Sequence, residues 1–145
     1  MSDEWVIYGS YGYTGNLIAR EAVERGLDPT LAGRDRTRLE LQASELGCDF
    51  EVVGLDEPQV LDYLLEDATA VLHCAGPFVD TYAPMVDACL RTGTHYLDIT
   101  GEIEVFRAIH ERDSQAAEAG VTLLPGVGFD VVPTDCLAAH VVDRL

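Results

Sequence analysis

From Trp5 to Gly15 the chain reads Trp-Val-Ile-Tyr-Gly-Ser-Tyr-Gly-Tyr-Thr-Gly. A short apolar run breaks there into three glycines and opens an amphipathic stretch that ends near Gly26. This is the pattern of a strand, a tight turn and a helix that cradle a dinucleotide. Gly9 and Gly12 carry no Cβ to hold a pyrophosphate off the backbone, and Gly15 lets the helix lie close on the sheet. The helix N-terminus then aims its N–H groups and positive dipole end at the phosphates. Ser10, Tyr11, Tyr13 and Thr14 complete the candidate phosphate loop. The G-x-x-G-x-x-G spacing is one residue longer in its first gap than the commonest fingerprint, so its weight comes from its place between strand and helix. The competing reading is a turn that needs glycine for geometry alone.

Beyond that turn, short strand signals alternate with helical ones. Apolar spacing predicts helices over 16–25, 36–46, about 57–65, 84–92 and 103–119. Strands are expected at 30–33, 50–53, 70–74, 96–99 and 121–124, following the one that begins at Trp5. Asp35 is placed to cap the second helix, and Asp56 fits a cap better than an adenine contact. No hairpin signal interrupts the alternation. The expected fold is therefore α/β, a Rossmann-type doubly wound parallel sheet of about six strands, with ligands at the carboxyl ends of the strands. Residues 1–130 form the dinucleotide-binding domain in this reading, and 131–145 begin a helix leading toward a further domain.

Chemistry in such a sheet belongs to the segments just after each strand. Arg34 directly follows Gly33 at the end of the second strand, where an arginine accommodates the 2′-phosphate of NADP and an acidic residue would take the 2′-hydroxyl of NAD. Arg38, one helical turn on, could add a second contact. NADP is the expected cofactor, ahead of NAD. After the fourth strand, Ala75, Gly76, Pro77 and Phe78 form a loop that permits close backbone approach and offers an apolar surface where the nicotinamide half must lie. Asp98, Thr100 and Glu102 gather at the same rim, either to orient substrate or to cap the helix near Ile103. His73 and His95 read as core or rim residues. No catalytic residue can be assigned, and no histidine or cysteine spacing suggests a metal.

Composition narrows the partners. The chain has 26 acidic and nine basic residues, a formal charge of −17, and no lysine. Such a surface repels nucleic acid and anionic membranes, so neither is an expected partner. It suits a protein kept soluble in high salt, which points to a halophilic host. Four widely spaced cysteines read as buried thiols in a reducing cytosol. With no basic-then-apolar leader and no 20-residue apolar span, the expected location is cytoplasmic. A short-chain dehydrogenase would need a Tyr-x-x-x-Lys pair and a phosphate-binding P-loop a lysine, and this chain can supply neither.

Five segments carry a resemblance: 9–15, 31–34, 75–78, 95–102 and 126–135. Together they resemble the saccharopine dehydrogenase-like oxidoreductases over nearly the whole chain, most closely the branch that contains the trans-acting enoyl reductases. The resemblance implies a nicotinamide cofactor domain and hydride transfer to or from a small organic substrate, at an imine, a secondary amine or a carbon-carbon double bond. It also implies that a substrate and dimerisation domain follows, giving a possible homodimer, and that this cofactor domain alone is inactive. The alternative is a stand-alone module that senses a dinucleotide without reacting.

Overall fold

The computed structural model describes residues 4–144. Its elements run β1 (Trp5–Tyr8), α1 (Tyr13–Glu24), β2 (Thr30–Gly33), α2 (Arg36–Leu46), β3 (Phe50–Val52), α3 (Pro58–Leu65) and β4 (Ala70–His73). They continue with α4 (Phe78–Thr92), β5 (His95–Asp98), α5 (Ile103–His110), α6 (Asp113–Ala119), β6 (Leu123–Leu124) and α7 (Val132–Val142). All strand pairs are parallel, in the order β3-β2-β1-β4-β5-β6. Strand order reverses between β1 and β4, which makes that boundary the switch point where a doubly wound sheet opens a crevice.

Burial of β1 on both faces explains its unbroken apolar run. Val6 and Tyr8 join one core layer with Leu61 and Leu65 of α3, Met85 and Val86 of α4, and Val105 and Ile109 of α5. Ile7 points the other way, into a layer with Ala19 of α1 and Leu39 and Ala43 of α2. The period-two alternation of a strand thus feeds two cores. Tyr8 adds a polar tie, its hydroxyl donating to the Val53 carbonyl at 3.0 Å.

Three helices differ from the sequence expectation. Helix α1 begins at Tyr13, three residues before the expected start. Helix α4 begins at Phe78, six residues before Pro84, which sits inside it. Its start is set by Pro77 and by Glu102, whose carboxylate accepts from the Phe78 and Val79 amides at 2.9 and 2.7 Å. Two charge-assisted bonds at the helix start outweigh the one backbone bond that Pro84 cannot donate. The stretch expected as one helix over 103–119 is two, broken at Glu111 and Arg112, where Arg112 turns to pair with Asp87 of α4. Asp35 does cap α2, accepting from the Arg38 amide at 3.1 Å. Asp56 does not cap α3: Glu57 holds that position and makes no side-chain cap bond.

Helix α7 follows the Gly126–Asp130 segment, and none of its residues is buried. Among the described residues no helix is long and apolar enough to cross a membrane, and no cluster of three or more potential ligands could hold a metal.

Candidate functional site

A cleft of about 810 Å³ opens at the carboxyl ends of the β1–β4 strands. Its walls come from the carboxyl end of each strand and the segment that follows it: Gly9, Tyr11 and Gly12 after β1, Gly33 ending β2 and Arg34 after it, Gly54 to Glu57 after β3, and Cys74 to Pro77 after β4. The volume is that of a small-molecule site, at the place where this topology binds ligands.

The three glycines of the turn do different work. Gly9 has φ +77°, and a Cβ there would lie 2.9 Å from both the Cβ and the nitrogen of Ala75, so its first duty is to let the β4 loop pack against the turn. A Cβ on Gly15 would lie 2.3 Å from the Gly9 carbonyl oxygen, which closes the turn onto the helix. Gly12 is looser: a Cβ would meet only that carbonyl, at 3.2 Å. Of the three, Gly12 has its side-chain space least filled by the fold.

Helix α1 starts immediately after Gly12, with no side-chain cap and no acidic residue in its first turn. Its leading N–H groups and dipole end are therefore open to an anion. Helix α4, which starts at the other edge of the same cleft, is already neutralised by Glu102. The two helix ends are thus unequal: that of α4 holds a carboxylate, and that of α1 has no side-chain cap.

Arg34 is the one cation among the described residues lining the cleft, beside Asp56, Glu57 and Asp80. It makes no ion pair among the described residues, although Arg36 two positions on is taken by Glu40. Arg38 sits elsewhere. Its guanidinium lies over the Tyr11 ring at 4.6 Å and donates to the Tyr11 carbonyl at 2.8 Å, outside the cleft lining.

Other residues from the sequence reading are placed as follows. The Ser10 side chain is buried, donating to Gln42 at 2.7 Å, while Gln42 returns a bond to the Ser10 carbonyl at 2.8 Å. Tyr13 is exposed, and Thr14 lines a separate hollow of about 440 Å³ with Ile18 and Val127. Ala75, Gly76 and Pro77 line the cleft, across a cis Gly76–Pro77 peptide. Phe78 is turned into the core, its ring edge-on to His73 at 5.5 Å, so it backs the loop without lining the cleft. Asp98 and Thr100 are fully buried. Asp98 accepts from the Tyr96 hydroxyl and from the Thr100 and Gly126 amides, which makes it a clamp between β5 and the last loops. Glu102 caps α4 rather than the helix that follows it.

Sequence reasoning misses one contact of Tyr11 and the whole part of Thr81. Tyr11, expected as part of the phosphate loop, also reaches the second strand's connection: its hydroxyl accepts from the Arg34 and Asp35 amides, each at 3.2 Å. Thr81 lines the cleft and donates to the Ala75 carbonyl at 2.6 Å, which leaves its oxygen to accept from His73 Nε2 at 3.1 Å. His73 is therefore the Nε2–H tautomer, and its Nδ1 has no partner among the described residues. Burial pulls its pKa down to about 3. Burial also pushes the Tyr8 phenol and the Cys74 thiol up to about 12, so neither gives up a proton near neutral pH.

Comparison with known proteins agrees with this fold. The model of the saccharopine dehydrogenase NADP binding domain matches residues 5–124. A trans-acting enoyl reductase of Mycobacterium ulcerans is 33% identical over 149 residues, covering 97% of this chain and 36% of that protein. A saccharopine dehydrogenase-like oxidoreductase of Bos taurus is 30% identical, over 90% of this chain and 35% of the relative. The chain thus spans about a third of the length of these relatives. The apo saccharopine dehydrogenase (L-Glu forming) of Saccharomyces cerevisiae superposes with a TM-score of 0.79 at 19% identity, over 99% of this chain and 31% of the other. By its sequence match over residues 5–124, the chain belongs to the saccharopine dehydrogenase NADP-binding domain family.

Proposed function

We propose that the cleft holds NADP(H) with its pyrophosphate on the Gly9–Gly12 turn, its 2′-phosphate at Arg34, its adenine toward Gly54 to Asp56 and its nicotinamide end toward Ala75 to Pro77. One observation carries the reading: Arg34, the one cation lining the cleft among the described residues, makes no ion pair with any of them and stands after β2 on the same cavity as the uncapped start of α1. Two sites for negative charge are thus built into an otherwise acidic surface. The turn residues and α1 bind the pyrophosphate, Arg34 selects the phosphorylated ribose, and the cis-proline loop shapes the reducing end.

In this role the chain is the cofactor domain of an oxidoreductase. The nicotinamide supplies hydride exchange with a carbon of a small organic substrate, at an imine, a secondary amine or a carbon-carbon double bond. The protein contributes position and exclusion of water. Asp98, Thr100 and Glu102 are occupied within the fold, so substrate orientation falls to residues outside this cleft.

Arg34→Ala tests the cofactor assignment. The native chain is expected to bind NADPH more tightly than NADH, and the variant to lose about 1.5–3 kcal/mol of NADPH affinity with little change for NADH, as for a charge-assisted hydrogen bond. Calorimetric titration of both nucleotides reads this directly. Equal affinities in the native chain would remove Arg34 from the role.

A further inference from the structure

We infer that Tyr11 is a specificity-determining residue of the NADP site, acting as the positioning residue for Arg34. The inference rests on the cofactor reading above and adds to it the device that holds the selecting arginine in place.

Arg34 stands in a short connection between β2 and α2, where a long side chain on an unanchored backbone would sweep a wide arc. Tyr11 anchors that backbone. Its hydroxyl accepts from two successive amides, those of Arg34 and Asp35, across 23 and 24 residues of sequence. Asp35 in turn caps α2 through its side chain, so phenol, connection and helix start form one hydrogen-bonded unit.

The Tyr11 ring is itself held on two sides. On one side it lies against Gly33, where a Cβ would come within 2.6 Å of Tyr11 Cε1 and 3.1 Å of its hydroxyl. On the other, the Arg38 guanidinium covers its face and donates to its carbonyl. Gly33 thus serves as the seat for the tyrosine, and Arg38 as its outer clamp. A cation stacked on an aromatic face and tied to the backbone contributes order to both partners. The phosphate turn and the arginine that discriminates between the nucleotides are joined through this one side chain. Tyr11 lines the cleft together with Gly33 and Arg34, so the unit sits at the ribose end of the site.

The test measures dissociation constants for NADPH and NADH by calorimetry on four proteins: native, Tyr11→Phe, Arg34→Ala and the double variant. Tyr11→Phe keeps the ring on Gly33 and under Arg38 and removes only the hydroxyl. It is expected to weaken NADPH binding about fivefold while leaving NADH within about twofold, and to change the NADPH-to-NADH ratio by less than about twofold once Arg34 is absent. Gly33→Ala, which displaces the ring without altering either side chain, is expected to lower the preference for NADPH over NADH. Melting temperature reports whether each variant is folded. An unchanged ratio in Tyr11→Phe, alongside a collapsed one in Arg34→Ala, would overturn the positioning role and leave the cofactor reading standing. Equal losses for both nucleotides would show that the hydroxyl only shapes the turn, and a full effect of Tyr11→Phe without Arg34 would show that it does not act through the arginine. If Arg34→Ala itself left the ratio unchanged, both readings would fall.

Discussion

Gly12→Val is expected to abolish NADP(H) binding while the protein stays folded. A Cβ at this position meets only the Gly9 carbonyl, at 3.2 Å, and the residue lines the cleft, so the valine methyls enter the space that the pyrophosphate must approach. Overpacking costs of about 3 kcal/mol correspond to a loss of roughly a hundredfold in affinity. Gly15→Ala is the contrasting case. Its Cβ would fall 2.3 Å from the Gly9 carbonyl oxygen and 2.9 Å from Ser10 Cα. Those are backbone atoms that cannot swing aside, and the damage appears as lost stability. Calorimetric titration and thermal melting separate the two variants. Native affinity in Gly12→Val would place the ligand away from this turn.

The second large effect is acid sensitivity centred on His73. The imidazole is fully buried, and burial holds its pKa near 3, against about 6.5 in an unfolded chain. The folded state therefore favours the neutral ring. Its contribution is complete above about pH 6.5 and is lost as pH falls toward 3, because the unfolded chain takes up the proton first. By about pH 4 the loss from this residue is on the order of 3 kcal/mol. The measurement is the difference between native protein and His73→Gln, followed by urea unfolding from pH 7 to 4, which isolates the part carried by this one residue. The glutamine keeps a donor for Thr81 and removes the titration. A native stability curve parallel to that of the variant would show that His73 does not carry the acid response. Magnetic resonance of the imidazole gives an independent check: a ring protonated on Nε2 alone should persist to about pH 4.

Much of this architecture is legible in the chain. The apolar run at Trp5–Tyr8, the glycine turn and the alternation of periods fix a parallel sheet because each signal is local: a strand buried on both faces, a helix stripe, a turn that needs φ > 0. Arg34 is legible for the same reason, since its place just after β2 is set by sequence alone. What escapes is non-local. Helix α4 starts at Phe78 because Glu102, 24 residues away, supplies its cap. Pro84, a strong local signal for a helix start, is outweighed by that distant carboxylate. Phe78 reads as cleft surface until its ring is seen to fill the core beside His73. Arg38 has the spacing of a second phosphate ligand, yet the aromatic face of Tyr11 lies within its reach and holds it. Asp98 and Thr100 look like rim chemistry, but the loop that brings Gly126 back onto Asp98 turns them into internal supports. The tie of Tyr11 to the Arg34 connection has one sequence signal, its pairing with Gly33: a bulky ring in one strand-end turn opposite a missing Cβ in the next, once β1 and β2 are set in parallel register.

The most direct test of the account is a crystal structure of the chain grown with NADPH. The account predicts the pyrophosphate against the backbone of Gly9 to Gly12 at the start of α1, and the 2′-phosphate within hydrogen-bonding distance, about 3 Å, of the Arg34 guanidinium, with Tyr11 still bound to the Arg34 amide. Electron density for the dinucleotide in the hollow of about 590 Å³ beside β6 and α6, or for a 2′-phosphate turned away from Arg34, would contradict it.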